Sequence, residues 1–587
     1  MIHKITSIFR FFVSELIILL LLLVVIKHYI GEVDNHIGLA DGKGYYEYLP
    51  STFIRHDILR KDFKVTENES LYKEVQTIGV YNFYKDHTVN KYTCGTAILQ
   101  SPFFFYTYFT TDRSGKADDG YQSSFQETVY FATLFYLFLG LFFLKKILQL
   151  YEIKWPVIFF AQLLIVFATP ITHYSHYEAS MSHVYSFFAI AVFTYTSILY
   201  FKRQKAIYFI VACLILGFIF LIRQVNVLVL FSLPFLAGSW VEFKSGLNSI
   251  FSKPKWLVIG VIGFLSIVFI QLLFWHIQTG DFLVYSYQNE GFDFLNPEFI
   301  NILFSYKKGL FLYTPVLLLS VLSVLIFTFS MKQYLAFTWL GFFLLITYVF
   351  SSWHYWEYGC SYGSRPYIDF YVLFFIPIAL MINHASIIWK SLIVLVSFGF
   401  IYVNIVQTYQ YKEYILHWIN MDKAKYWTVF LQTDERFKGL VWKEPIIESN
   451  YRVVDEKKIG DFTIQKNNNQ ILIRINTSEI SEFDLVSIIQ LKIETDFNIL
   501  NKSKILISID DSLENYLWDE RSILHFYNSR LNEFHTGSFN YKLNSVKKSE
   551  NVTLTILSTS SNMDFNIQNA KLIFLKSKNE SSLHLEQ

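Results

Sequence analysis

The strongest constraint in this chain is its succession of long apolar runs. The first, FFVSELIILLLLLVVIKHYI (11–30), follows a short basic leader with Lys4 and Arg10. A helix that crosses hydrocarbon needs about 20 mostly apolar residues. Such segments fall near 9–30, 127–144, 155–171, 183–201, 206–222, 224–240, 256–276, 309–330, 334–351, 366–383 and 388–408. The expected fold class is therefore a polytopic α-helical membrane protein of about 11 transmembrane helices. Composition agrees: 53% of the residues are hydrophobic and 17% charged, against about 25% charged in soluble domains. The first run is longer than a signal-peptide core and lacks an A-x-A-like cleavage site, so it reads as a retained signal-anchor.

Lysine and arginine in short loops set the orientation. With the N-terminus inside, the cytoplasmic links are Lys145–Lys154, Phe201–Lys205, Glu242–Lys255, Met331–Lys332 and Ile382–Lys390, most of them basic. The other side receives the long segments 31–126, 172–182, 277–308, 352–365 and the tail after 409. The abundance of Phe, Tyr, Ile, Lys and Asn suits an AT-rich, bacterial genome, which makes the expected location the bacterial inner membrane. In the tail the apolar runs shorten and turn β-rich, as in ILIRI (471–475), LVSIIQLKI (485–493), VTLTIL (552–557) and KLIFL (571–575), with Asn, Ser and Asp clusters between them. This predicts two domains: 1–408 in the membrane and 409–587 as an extracytoplasmic all-β sandwich, jelly-roll-like. Trp518 and Tyr527 read as core aromatics there, the alternative being contacts to carbohydrate or a partner.

The formal net charge is +2 with no basic block, so a nucleic-acid partner is not expected. Three scattered cysteines support neither a disulfide framework nor a zinc knuckle. Ionisable residues are scarce inside the spans, where they are costly; Glu15 and Arg223 stand out.

Four clusters on the outward segments carry the chemistry. In LADGKGYYEYLP, Asp41, Tyr45 and Tyr48 share a helical face. Asp41 either N-caps a short interfacial helix or is a carboxylate whose basicity is raised by partial desolvation, a general base. Gly42 and Gly44 permit close approach. In THYSHYEASMSH, His173, His176 and Glu178 are metal-ligand candidates at an unusual spacing; the alternative is an interfacial His/Tyr cluster. In TGDFLVYSYQNEGFDF and FSYKKGLFLYTP, Glu290 precedes Lys307 and Lys308, a cationic pair suited to a phosphate or a tolerated flank. In SSWHYWEYGCSYGSRPYIDF, Trp353 and Trp356 are aromatic platforms, and Arg365 offers a guanidinium fork to a phosphate; alternatively it pairs with Asp369, four residues on.

Together these stretches resemble the C-type (GT-C) membrane glycosyltransferases, specifically bacterial members near the protein O-mannosyltransferases and the lipid A aminoarabinose transferases. The resemblance covers about residues 1–408. It rests on ADGKGYYEYLP after the first helix, KYTCGTAILQSPFF (91–104), FSYKKGLFLYTP and WHYWEYGCSYGSRPYIDF. It implies transfer of a sugar from a polyprenyl-phosphate donor to a hydroxyl of a glycan, lipid or protein acceptor on the extracytoplasmic side, with inversion. Asp41 would be the base. The Asp-Glu pair of some relatives is absent, since Gly42 follows Asp41, and this leaves Asp34 as a rival. Arg365, with Lys307, Lys308 or Arg223, would steady the departing phosphate. Tyr45, Tyr46, Trp353, Trp356 and Glu290 would meet sugar or acceptor. Glu178 with His173 or His176 would hold a divalent metal, the one candidate cofactor, or orient the acceptor. The alternatives are a transporter or flippase of a lipid-linked saccharide and a non-catalytic envelope assembly protein.

Overall fold

Apolar segments with no polar face become helices buried in lipid or in one another, and the computed structural model has helix within each of the eleven segments. It describes residues 2–31, 40–58, 79–85, 87–111, 120–328, 333–442, 450–466, 468–495, 504–510, 515–522, 535–543, 552–558 and 564–578. Asp34 and Tyr527 lie outside the described residues. Among the described residues, seven helices are long and apolar enough to cross a membrane: Phe12–Ile30, Ser123–Leu150, His183–Arg203, Pro254–Thr279, Gln333–Ser351, Arg365–His384 and Ile387–Lys412.

Of the other four expected spans, Ala206–Ile222 keeps its expected bounds as a 17-residue helix and three are shortened or broken, for local reasons. Trp155–Phe167 stops before Pro170, and Val316–Ile326 begins only after Pro315, because proline cannot continue the hydrogen-bond ladder. Ala206–Ile222 ends at Arg223, whose backbone is extended (φ −152°, ψ 117°). The chain resumes as a 3₁₀-helix, Gln224–Ser232, and then bends by 119° into Trp240–Phe251; Gly238, with φ +87°, makes the turn.

The helices needed below are α1 (Ile2–Val25), α2 (Ala40–Tyr46), α3 (Tyr48–Phe53), α4 (Gly95–Thr110), α5 (Ser123–Leu150), α6 (Trp155–Phe167), α7 (His183–Arg203) and α8 (Ala206–Ile222). They continue as α9 (Pro254–Thr279), α10 (Gln333–Ser351), α11 (Tyr371–His384) and α12 (Ile387–Lys412). Helices α7 and α11 are the most enclosed, whereas α9 and α12 present mostly exposed apolar faces, as lipid-facing helices must. Glu15 of α1 is fully buried; it pairs with Lys145 of α5 at 2.6 Å and accepts from Gln162 Nε2 of α6 at 2.7 Å. The charge noted in the first span is thus neutralised inside the bundle.

Segment 31–126 is not a plain loop. It carries α2, α3, a hairpin of β1 (Tyr81–Tyr84) and β2 (His87–Asn90), and α4, whose 16 apolar-rich residues were not among the expected helices. Gly95 lets the start of α4 abut the end of α8: a Cβ there would lie 2.3 Å from the Leu221 carbonyl carbon. That approach brings Lys91 and Tyr92 to a cavity that Arg223 also lines.

Two compact units divide at Leu431/Gln432. Residues 409–431 go with the helical unit because α12 runs on to Lys412, and Gln407 donates to Tyr426 Oη at 2.8 Å in the short helix Lys423–Val429. The described residues of the second unit, Gln432–Gln587, contain two antiparallel four-stranded sheets. Their strands are β3 (Tyr451–Ile464), β4 (Gln470–Asn476), β5 (Ile488–Thr495), β6 (Lys504–Asp510), β7 (Asn515–Ser522), β8 (His535–Lys542), β9 (Thr553–Ser558) and β10 (Phe565–Ser577). The orders β3-β10-β5-β8 and β4-β9-β6-β7 interleave as in a jelly roll. Alternating Ile, Leu and Phe from both sheets fill the core between them. Trp518 is exposed on β7 rather than in that core.

Candidate active site

The up-and-down course of the helices puts the end of α1, the starts of α7 and of span Arg365–His384, and the ends of α8, α9 and α10 at one end of the bundle. A cavity of about 650 Å³ opens there, within the ordinary range of ligand sites. Its walls include Asp41, Tyr45, Lys91, Tyr92, His183, Arg223, Tyr287, Glu290, Trp353 and Arg365.

Asp41 sits in the first turn of α2, not at a cap position, and its carboxylate turns into the protein. Oδ2 pairs with Arg365 Nη2 at 2.7 Å, and Oδ1 accepts from Tyr92 Oη at 2.5 Å. Burial alone would push this carboxyl up. The Arg365 guanidinium, the Tyr92 hydroxyl and the Lys91 ammonium outweigh it and hold Asp41 below the usual carboxylate value. This reverses the raised basicity expected from the sequence. Tyr45 packs against Tyr92 with ring centroids 4.6 Å apart and planes tilted by 48°, and Tyr48 donates to the Tyr92 carbonyl at 2.7 Å. Both tyrosines are buried, so the interfacial cap-and-anchor role does not hold. Gly44 faces the Tyr92 ring, where a Cβ would lie at 2.2 Å.

Arg365 therefore pairs with Asp41, not with Asp369 four residues on. Its Nε is buried without a hydrogen-bond partner among the described residues, an unmet donor on a guanidinium that faces the cavity. Asp369 instead meets Arg223 Nη1 at 3.1 Å, His183 Nδ1 at 2.7 Å and Asn226 Nδ2 at 2.7 Å.

Across the cavity, Lys91 and Glu290 form an ion pair. Ser286 Oγ donates to the Lys91 carbonyl at 2.8 Å, and Asn82 Nδ2 donates to the Ser286 carbonyl at 2.6 Å; these bonds tie the hairpin to segment 280–298. Trp353 packs on Phe292 (4.8 Å) and edge-on to Tyr287 (5.8 Å), which makes an aromatic wall.

Several expected site residues lie elsewhere. Tyr46 is buried, donates to the Gly120 carbonyl at 2.9 Å and packs on Tyr121 and Phe104, so it is structural. Trp356 packs against the helical core and does not line the cavity. Lys307 lies 3.5 Å from Glu357, also off the cavity. Lys308 is buried with its Nζ donating to the Ser361 and Trp418 carbonyls. Burial pushes this amine down to about 7, so it clamps two loops and does not meet a phosphate.

The metal expectation also fails on geometry. His173 Nε2 lies 3.3 Å from Glu178 Oε2, in a box formed by Tyr174, Tyr177, Tyr362 and Tyr411. His176 turns its Nε2 to the Gly31 carbonyl at 3.0 Å, and burial pushes the ring down to about 4. Among the described residues, no group of three or more His, Cys, Asp and Glu side chains is placed to hold a metal ion. The set His173, His176 and Glu178 does not fit one.

Lys91, Tyr92 and Tyr287 were given no role from the sequence, and Asp369 only that of a partner to Arg365. The one available signal was KYTCG itself, a lysine and a tyrosine directly before an apolar helix.

No family model matches this chain, and no curated protein matches it. Among solved structures it is similar to the archaeal oligosaccharyltransferase AglB from Archaeoglobus fulgidus in complex with an inhibitory peptide and a dolichol-phosphate, at 10% identity and TM-score 0.40, over 76% of this chain and 59% of that one. It is also similar to the Archaeoglobus fulgidus oligosaccharyltransferase in complex with Zn and sulfate, at 12% identity and TM-score 0.39, over 74% and 58%. The chain thus spans about three fifths of the length of these structures. Function rests on the site.

Proposed function

We propose that this protein is a membrane glycosyltransferase of the C-type, which moves a sugar from a polyprenyl-phosphate donor to an acceptor hydroxyl with inversion. The observation that carries the reading is the Asp41–Arg365 pair on the wall of one cavity with Arg223, at the ends of apolar helices. An acid beside two guanidiniums suits a reaction that takes up a proton at one atom and releases a phosphate at another. The acceptor oxygen bonds to the sugar C1 while the C1–O bond to phosphate breaks. The hydroxyl proton passes to Asp41, and the polyprenyl phosphate departs with the electron pair, its charge met by Arg365 and Arg223. As the phosphate takes up Arg365, Asp41 loses counter-charge and becomes a stronger base. Tyr45, Trp353 and Glu290 line the space for sugar and acceptor. The loop charge bias supports placing this cavity, and the β unit, on the extracytoplasmic side of a bacterial cytoplasmic membrane, with the N-terminus inside.

The test is purified protein in lipid nanodiscs, offered a panel of polyprenyl-phosphate sugars and scored for transfer or hydrolysis. Asp41→Asn should lower turnover by about 10²–10⁴-fold with little change in thermal stability. Unchanged turnover in that variant removes Asp41 from the role. Absence of turnover with every donor overturns the reading.

A further inference from the structure

Asp369 is wholly buried in the 3₁₀ opening, Arg365–Phe370, of span Arg365–His384. Nothing about an enclosed carboxylate favours folding by itself: its desolvation is costly unless both oxygens are hydrogen-bonded. Here they are met by polar side chains from two other elements. Oδ1 takes His183 Nδ1 of α7, and Oδ2 takes both Asn226 Nδ2 and Arg223 Nη1. Asn226 is steadied in turn, donating to Ser186 Oγ at 3.0 Å. Since His183 Nδ1 donates to the carboxylate, its 3.4 Å approach to Arg223 Nη1 is a contact between two donors, not a bond. The arginine is the member of this group that reaches the cavity with charge. It stands at the extended break after α8, where no helical backbone fixes its direction.

We propose that Asp369 is a positioning residue: held by His183 and Asn226, it aims Arg223 so that Arg223 and Arg365 form a two-guanidinium clamp for the phosphate of an isoprenyl phosphate ligand. This rests on the reading of the cavity as an anion site and adds the device that arranges it. The buried ion pair is kept for the direction it gives Arg223, because an apolar residue at 369 would be the cheaper core.

The test is a double-mutant cycle on the full-length protein in detergent, with farnesyl phosphate as the probe and its dissociation constant as the readout. Asp369→Asn and Arg223→Met should each weaken binding by about tenfold, the scale of one charge-assisted hydrogen bond. The double variant should bind no more weakly than Arg223→Met alone. If Asp369→Asn does not fold, Asn226→Ala replaces it, with a smaller loss that vanishes in the Arg223→Met background. Wild-type binding by Asp369→Asn or Arg223→Met, or losses that add in the double variant, overturn the proposal. Arg365→Met separates the two levels. If it weakens binding while Asp369→Asn and Arg223→Met do not, the anion site stands and the positioning role falls. If it too binds as wild type, the anion site falls.

Discussion

Replacing Arg365 by Gln should raise the pKa of Asp41 on a scale the structure sets. The guanidinium lies 2.7 Å from Oδ2, and both side chains are mostly enclosed, 13% and 24% exposed. Unit charges 4 Å apart at an effective dielectric of about 20 interact by about 4 kcal/mol, near 3 pH units at 1.36 kcal/mol each. An opposite charge at contact ordinarily moves a carboxyl by about 1–3 units, so the two scales meet. Tyr92 and Lys91 remain and keep the shift below the upper figure. Carbodiimide reacts with protonated carboxyl groups, so peptide mapping of Asp41 labelling against pH reads the change without requiring turnover. The half-labelling pH in Arg365→Gln should lie about 1–3 units above wild type, and Lys91→Met should give a smaller rise. Identical midpoints in wild type and Arg365→Gln would show that Arg365 does not govern Asp41. The stability sign follows. A carboxyl depressed in the folded state stabilises above the unfolded value of 3.8, and that contribution is lost as pH falls through the folded value. At neutral pH the wild-type pair is fully formed.

Three further outcomes follow from the packing. Gly44→Ala puts a Cβ 2.2 Å from the Tyr92 ring; it should cost about 1–3 kcal/mol of stability by overpacking and loosen the Tyr92–Asp41 bond, read by thermal unfolding and the Asp41 labelling midpoint. Lys308 has its amine pushed down to about 7, so between that value and the unfolded 10.5 the unfolded chain binds the extra proton. Wild-type stability relative to Lys308→Met should therefore rise across pH 7–10, by up to about 1.4 kcal/mol per pH unit; a pH-independent difference in melting temperature would refute the clamp. Glu15→Leu removes the buried carboxylate that Lys145 pairs with and should cost about 3–5 kcal/mol, and adding Lys145→Met should restore much of the loss, both read by thermal melts in detergent.

Much of the architecture was legible because it depends on local composition. Apolar runs near bilayer length give helices whatever their neighbours, and the β-rich runs after residue 450 give strands. Segment lengths were less legible, since Pro170 and Pro315 cut two runs short and Gly238 bends a third. Helix α4 escaped notice because its 16 residues fall short of a span.

The pairing of charges was not in the sequence. Arg365 and Asp369 are four residues apart, which suggests one helical pair. The 3₁₀ geometry of Arg365–Phe370 puts one on the cavity and the other behind it. Asp41, 324 residues before Arg365 by number, becomes its partner because α2 folds back against the bundle. The sequence by itself determined the helices, the β unit and the end of the bundle where acids and arginines gather, since these follow from hydrophobicity and loop charge read residue by residue. Only the tertiary structure decided which acid meets which arginine, that Lys308 and Tyr46 are structural, and that His173 and His176 do not share a metal. Those outcomes depend on side-chain direction and burial between segments far apart in the chain, which no local pattern encodes.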